Sequence, residues 1–115
     1  MSQLSDLTFL RTFTGGDSAK MTKYINMFLS GAPQMLAQIR QQTDSADWKG
    51  LKTSSHSLKT QLKYMGVTNA VDLAFAIEQQ SGEMKDLDQL PQLVNQLEAV
   101  TNTAIMELRD ELTKL

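Results

Sequence analysis

The sequence predicts an all-α domain, an antiparallel four-helix bundle with a short additional helix at its N-terminus. Helix-favouring Leu, Gln, Met, Ala and Lys dominate the composition, and the chain contains only two prolines. Apolar residues recur at helical spacing along each long segment. Turn signals divide the 115 residues into one short and four long helices, and short connections favour antiparallel neighbours. We expect a single domain over 1–115.

The first two predicted helices are separated by a pair of glycines. The first, near 5–13, begins with Ser5 or Asp6 as its N-cap, and the glycines end it. The second covers about 17–42 and has apolar residues three and four positions apart. Because Pro33 lies inside this segment, we expect a kink or break over the three residues before it.

The other three predicted helices are bounded by capping residues and glycines. Their expected bounds are about 46–65, about 69–81, and a fifth helix that opens at Asp86 or Asp88. The expected caps are Asp44-Ser45 for the third helix and Thr68 for the fourth, and the expected ends are Gly66 and Gly82. Pro91 fits the fifth helix because it falls in the first turn.

Composition and charge exclude several classes of protein. The formal net charge of −2 argues against a generic nucleic-acid binder. The chain lacks cysteine and has one histidine, so no disulfide, thiolate site or histidine metal cluster is expected. The start lacks the basic and apolar regions of a secretory signal, and no stretch reaches the ~20 apolar residues that span a membrane. We expect a cytoplasmic protein that binds neither nucleic acid nor membrane.

The third helix carries the single histidine, His56, on a face rich in lysine. At about 100° per residue, an apolar stripe falls at roughly 180–240° from His56, opposite the imidazole. That stripe consists of Leu51, Leu58, Leu62 and Met65. The lysines within roughly 60° of His56 are Lys49, Lys52, Lys59 and Lys63. The wheel therefore predicts that His56 lies outside the core and is surrounded by ammonium groups.

Such a histidine suits the covalent capture of an anion. A neutral imidazole is a nucleophile that can form a phosphoramidate. Nearby lysines are expected to lower the pKa of His56 and to offset the roughly two negative charges of a phosphoryl group. Acidic residues are expected to stay off this face, with Glu78 either solvated or paired at a helix end.

The sequence resembles the histidine-containing phosphotransfer (HPt) family. That family has a histidine, a lysine three residues later and a glycine ten residues later, which here are His56, Lys59 and Gly66. The resemblance extends over nearly the whole chain through three flanking segments. These are the turn Thr14-Gly15-Gly16-Asp17, the proline-interrupted run from Phe28-Leu29 to Ala32-Pro33-Gln34-Met35-Leu36, and the helix start Asp47-Trp48.

The resemblance implies a phosphoryl carrier without ATP-dependent kinase activity. A receiver domain with an aspartyl phosphate would dock on the His56 face, His56 Nε2 would attack phosphorus, and another receiver would take the group. Mg²⁺ would belong to the receiver, and the chain would need no cofactor or metal of its own. We expect a monomer in which Lys59 and Lys63 stabilise the phosphoryl group, while Lys49 and Lys52 steer the partner.

The resemblance also suggests partner contacts. Met27, Phe28 and Ala32 are expected to form an apolar rim beside His56, and Gly66 is expected to belong to the docking face. The chain departs from the family pattern at Thr60, four places after the histidine. Many family members have a small residue, usually glycine, at that position. The Thr60 hydroxyl is expected to bond to the carbonyl of His56 and to narrow the choice of receivers.

Two other classes remain open. The first is the dimerisation segment of a sensor histidine kinase, whose box reads His-Glu-Leu-Arg/Lys-Thr-Pro-Leu, against the chain's run from His56 to Leu62. Ser57 and Gln61 replace the acidic base and the proline of that box, and no Gly-rich nucleotide-binding region is expected among residues 67–115. The second is a helical adaptor that takes no phosphoryl group, in which the lysines serve solubility.

Overall fold

The computed structural model describes residues 3–115, which form five α-helices joined by short turns. The helices are α1 (Thr8–Phe13), α2 (Ser18–Asp44), α3 (Trp48–Tyr64), α4 (Thr68–Glu83) and α5 (Leu90–Leu112), and a 3₁₀ turn, Leu87–Gln89, precedes α5. The four long helices close a ring in which α2 and α4 each pack against both α3 and α5. The predicted bundle with a short N-terminal helix is confirmed.

The apolar stripes of the four long helices meet in one core. On α3, Leu51, Leu58 and Leu62 are fully buried, as the wheel predicts. The buried face of α4 is made mostly of small residues, Ala70, Ala74, Ile77 and Ser81. Because these apolar faces point inward, the opposite face of α3 is left at the surface.

Helix α3 begins after a different capping residue from the one predicted. Asp47, rather than Asp44-Ser45, is the N-cap, and its carboxylate accepts a hydrogen bond from the Gly50 amide at 3.0 Å. The reversal before it depends on Ala46, which takes a left-handed backbone with φ of 57°. Helix α2 consequently runs two residues further than predicted, to Asp44.

Two helices continue past residues that were expected to interrupt or end them. Helix α2 is continuous through Pro33, so a break of the helix before Pro33, one of the two expected alternatives, is wrong. Pro33 is exposed, and the buried Phe28, Ala32 and Leu36 hold both halves of the helix against the core, which offsets the backbone bond that proline removes. Helix α4 passes Gly82 and ends at Glu83, where Met84 takes the left-handed position.

The segment before α1, residues 3–7, lies across the end of the bundle, and we call it the N-terminal strap. Glu107 of α5 accepts hydrogen bonds from the backbone amides of Leu4 and Ser5 and from the Ser5 hydroxyl. The Asp6 amide donates to the Met65 carbonyl at 3.1 Å. Because these residues bind to the bundle, α1 begins at Thr8 and not near residue 5. No helix within residues 3–115 has the length and apolarity needed to cross a membrane.

Candidate functional site

His56 lies at the surface in the middle of α3. Its side chain is 60% exposed, while Leu51, Leu58 and Leu62 on the same helix are fully buried. The prediction that His56 lies outside the core is therefore confirmed. Among residues 3–115, Nδ1 of His56 is hydrogen-bonded and Nε2 has no hydrogen-bond partner.

A carboxylate from the neighbouring helix binds both His56 and the lysine one turn beyond it. Glu78 of α4 places Oε2 at 2.9 Å from His56 Nδ1 and Oε1 at 2.6 Å from Lys59 Nζ. Its side chain is only 17% exposed. The expectation of a solvated or end-pairing Glu78, on a face free of acids, is wrong. A wheel of α3 alone does not show what α4 brings to its edge.

Glu78 is ionised in this arrangement. Burial opposes its charge, but the hydrogen bonds from Lys59 and His56 outweigh burial and hold the pKa of Glu78 below its ordinary value. An ionised carboxylate only accepts hydrogen bonds, so His56 Nδ1 must be the donor and carry the ring proton. Neutral His56 therefore presents the lone pair of Nε2 to solvent.

Lys59 is enclosed by this site. Its side chain is 11% exposed, and Nζ also lies 5.1 Å from the ring centroid of Phe75, one helical turn before Glu78 on α4. A desolvated ammonium over an aromatic face gains a cation–π attraction. The ammonium of Lys59 is therefore held in place by Glu78 and Phe75 together.

The other lysines of the predicted ring are exposed and spread along α3. Lys63 lies with Thr60, Phe9 and Tyr64 around a shallow cavity beyond His56. The stem of Lys52 crosses to α4 and lies against Gly82. The structure thus brings Lys59 to the imidazole and leaves the other three lysines as a surface charge.

Thr60 makes the local bond that the sequence predicts. Its hydroxyl donates to the carbonyl oxygen of His56 at 3.2 Å, and its side chain is at the surface. The threonine is therefore fixed one turn beyond the imidazole, on the face that a partner would have to approach.

An exposed aromatic cluster lies beyond Thr60 and was missed by the sequence analysis. It consists of Phe9 and Phe13 from α1, Tyr24 from α2 and Tyr64 from α3, and we call it the aromatic patch. Phe9 and Phe13 are 52% and 54% exposed, and both rings lie within 6 Å of the Tyr64 ring, at 5.4 and 5.9 Å. The signal that could have shown it is the spacing of four between the two phenylalanines, which puts both on one side of α1.

The apolar rim expected from α2 is only partly present. Met27 is 58% exposed, whereas Phe28 is 2% exposed and Ala32 is fully buried, so the placement of these two in an exposed rim is wrong. Residues 28 and 32 face the core because they continue the buried stripe of α2. Phe28 forms part of the wall of a cavity of about 320 Å³, which is also lined by Met27 and by three members of the aromatic patch, Phe13, Tyr24 and Tyr64.

Gly66 has a structural role that its place in the family pattern does not reveal. It has φ of +67°, and a Cβ at this position would overlap the carbonyl oxygen of Asp6. Glycine is therefore required both by the turn after α3 and by the N-terminal strap that crosses it.

The fold and the site define a class of protein: a helical bundle that presents one accessible imidazole, backed by a carboxylate and a lysine. Within residues 3–115, no group of three His, Asp or Glu side chains could hold a metal ion. Residues 23–115 match the family model described as Hpt domain. The chain belongs to this family, whose members are phosphoryl carriers of two-component phosphorelays, interact with receiver domains and are not kinases.

A solved structure has the same fold. The chain is similar to histidine-containing phosphotransfer protein B (HptB) from Pseudomonas aeruginosa PAO1, with a TM-score of 0.89 and 16% sequence identity. The match covers 100% of this chain and 99% of that one. No curated protein sequence matches the chain significantly.

Proposed function

We propose that this chain accepts a phosphoryl group on Nε2 of His56 from the aspartyl phosphate of a receiver domain and passes it to a second receiver. The observation that carries the proposal is the orientation of His56. Its Nδ1 is hydrogen-bonded to Glu78 at 2.9 Å, while 60% of the side chain is open to a partner. A docked phosphoryl group would therefore meet the nitrogen that has a free lone pair.

The transfer needs little from this chain besides position and charge. The Nε2 lone pair forms a bond to phosphorus as the bond from phosphorus to the aspartate oxygen breaks, and the aspartate leaves as a carboxylate. Mg²⁺ on the receiver would neutralise the phosphoryl oxygens during this exchange. Lys59 supplies a positive charge that Glu78 holds beside the imidazole, and Lys63 adds charge on the side of Thr60.

The surface around His56 suits a receiver that combines apolar contacts with negative charge. The aromatic patch and Met27 offer exposed apolar side chains on one side of Thr60, and aromatic residues and Met are enriched at protein interfaces. Lys49 and Lys52 extend the positive surface on the other side and would speed the encounter with an acidic partner. We propose that the domain acts as a monomer, since one chain closes its own bundle, and that it works in the cytoplasm, where the receivers of the proposed relay would meet it.

The same structure weighs against the two other classes. A dimerisation segment of a kinase contributes helices to a bundle shared between two chains, whereas here one chain supplies four long helices. The acidic residue beside His56 comes from α4 and not from the next position in sequence, where Ser57 stands. A helical adaptor has no need of a carboxylate that binds the imidazole and Lys59 together.

Phosphotransfer from a labelled receiver tests the proposal. Incubating the protein with phosphorylated receivers and Mg²⁺ should give an acid-labile, base-stable label on the wild type and on Ser57→Ala, and none on folded His56→Gln. ATP alone should give no label. Label on a serine, threonine or aspartate, or none from any receiver of the source organism, would contradict the proposal and favour an adaptor.

Thr60 is proposed to limit which receivers dock. Its methyl group and bonded hydroxyl form a fixed wall beside the imidazole, and removing such a barrier weakens discrimination between partners. Thr60→Gly should raise transfer to non-cognate receivers relative to the cognate one, at a cost of up to about 1 kcal/mol of helix stability. Initial rates over a receiver panel measure this ratio. The same preference profile in both forms would show that Thr60 has no part in recognition.

A further inference from the structure

Gly31 stands in the middle of α2, where glycine is a poor choice for stability. The helix extends well beyond it on both sides, from Ser18 to Asp44, and its φ is negative like that of its helical neighbours. Glycine inside a helix lowers stability relative to alanine, because it loses more conformational freedom on folding. The backbone of α2 therefore gives no reason for glycine at this position.

The packing of the chain gives no reason either. Among residues 3–115, and apart from its own stretch of α2, a Cβ added at Gly31 would have one neighbour within 4 Å, Gln61 Oε1 of α3. The distance of 3.8 Å is an ordinary van der Waals contact. Gly50 is different, because a Cβ there would overlap the side chains of Asp47 and Gln42. Close contacts within the chain explain Gly50 and leave Gly31 unexplained.

Gly31 lies on the surface that adjoins His56 on the side of α2. Its neighbour Gln61 stands about 140° from the imidazole on the α3 wheel, on the side that turns towards α2. Thr60 stands between the two, at about 40°. Glu78 and the rest of α4 lie on the opposite side of the imidazole. The surface next to His56 therefore extends over Thr60 and Gln61 to Gly31.

The surface of α2 is hollow at Gly31 because larger side chains stand on both sides of it. Met27, one turn earlier, is 58% exposed, and Gln34, nearly one turn later, is also exposed. Both line a shallow, mostly apolar depression that includes Gly31. Met27 also lines the cavity next to the aromatic patch, so the depression continues the apolar surface described above. A hole of this kind on one helix accepts a side chain from a packed partner.

We propose that Gly31 is a specificity-determining residue, over which a receiver inserts an apolar side chain when it docks beside His56. This inference rests on the proposed function and assigns to α2 the close approach that Thr60 obstructs on α3. The inserted side chain is apolar because the depression is mostly apolar and the helical backbone at its base is already hydrogen-bonded within α2. The stability that glycine gives up is then a cost of partner binding.

Gly31→Ala separates this role from a structural one. Alanine is the better helix former and has room at this position, so the midpoint of urea unfolding should rise. A lower midpoint would show that glycine relieves the backbone around Pro33, two residues later, and would overturn the inference.

Transfer from a phosphorylated receiver measures the effect on docking. Added volume at Gly31 should raise the receiver concentration that gives half the maximal rate, by about threefold in Gly31→Ala and about tenfold or more in Gly31→Leu. The rate at saturation should stay within about twofold of wild type, because the imidazole and its partners are unchanged. A residue that acts only through stability would not separate the two quantities in this way.

Ala37→Leu is the matched control for added bulk. It places a leucine at an exposed position of the same helix, about 120° around α2 from Gly31, and both quantities should stay at their wild-type values. A rise in the half-maximal concentration as large as that of Gly31→Leu would overturn the role of Gly31, because any bulk on α2 would then have the same effect.

A complementary change on the receiver tests the insertion itself. When the exposed apolar residues of the receiver are replaced by alanine one at a time, one replacement should bind Gly31→Leu better than the unchanged receiver does. No such rescue, or equal half-maximal concentrations for wild type and Gly31→Leu, would overturn the inference and leave the proposed function standing. A wild type that takes no label from any receiver would overturn both.

Discussion

Replacing Gly66 by alanine should destabilise the fold by about 1.5–3.5 kcal/mol, a cost with two separable parts. The first is the left-handed backbone, with φ of +67°, which costs a residue with a Cβ roughly 1–2 kcal/mol. The second is the overlap of the new methyl group with the Asp6 carbonyl. To relieve it, the N-terminal strap must move and give up the hydrogen bond from the Asp6 amide to Met65, worth about 0.5–1.5 kcal/mol.

Gly15 provides a matched control for this substitution. It has the same φ of +67°, but no atom lies within 4 Å of the position that a Cβ would take. Gly15→Ala should therefore cost only the backbone part, and the effect of alanine on the unfolded chain is common to both variants. Urea unfolding followed by far-ultraviolet circular dichroism should show a difference between the variants of about 1 kcal/mol.

Equal losses of stability in Gly66→Ala and Gly15→Ala would refute the argument that Gly66 supports the strap. Transfer from a saturating phosphorylated receiver adds an independent measurement, because a structural glycine should leave that rate close to wild type. A variant with wild-type stability and slow transfer would instead support the place on the docking face that the family resemblance implies for Gly66.

Three further substitutions test the fold and the surface charge. Met84→Gly should stabilise the protein by about 1 kcal/mol in urea unfolding, because Met84 is exposed and has a left-handed backbone with φ of 57°; unchanged stability would contradict this. Burial opposes the charge of Glu107, but the amides of Leu4 and Ser5 hold its pKa below the ordinary value, so its contribution is complete above about pH 5 and is lost as acid protonates it. Glu107→Gln should therefore flatten the fall in stability below about pH 4.5, and an unaltered slope would refute this. Alanine at Lys49 or Lys52 should slow association with a receiver, less so at high salt, without changing the rate at saturation; a salt-independent effect would exclude steering.

The helices and the outward position of His56 could be predicted because both depend on local spacing. A stripe of leucines at three- and four-residue intervals fixes which side of α3 is buried, whatever the helix packs against. The Thr60 bond to the His56 carbonyl is equally local, since it joins residues one turn apart. Such features need only the geometry of a single helix.

The partner of His56 could not be found in that way, because it depends on how two helices meet. Glu78 is twenty-two positions after His56 and belongs to another helix. Its position next to the buried Ile77 indicates a residue at the edge of the α4 stripe, but periodicity does not say which neighbour lies across that edge. The contact requires the register between α3 and α4, which the turn at Gly66 and the core set together.

The start of α3 was predicted wrongly because two local capping signals are equally suitable there. Asp44-Ser45 and Asp47 are both good caps, and the choice of Asp47 requires Ala46 to adopt a left-handed backbone that alanine disfavours. The aromatic patch was missed for a different reason. Phe9 and Phe13 are exposed on a helix of six residues, and their partners Tyr24 and Tyr64 come from two other helices.

The chemistry of the site therefore depends on the core beneath it. Helix α3 supplies the imidazole and Lys59, and α4 supplies the carboxylate that orders both. Small buried residues on α4, Ala70 and Ala74, allow neighbouring helices to approach closely. Because a tightly packed core does not absorb added volume without moving its helices, the distance from Glu78 to His56 is set by positions that no phosphoryl group touches. The tautomer of His56 consequently reports on the packing of α3 against α4 as well as on Glu78 itself.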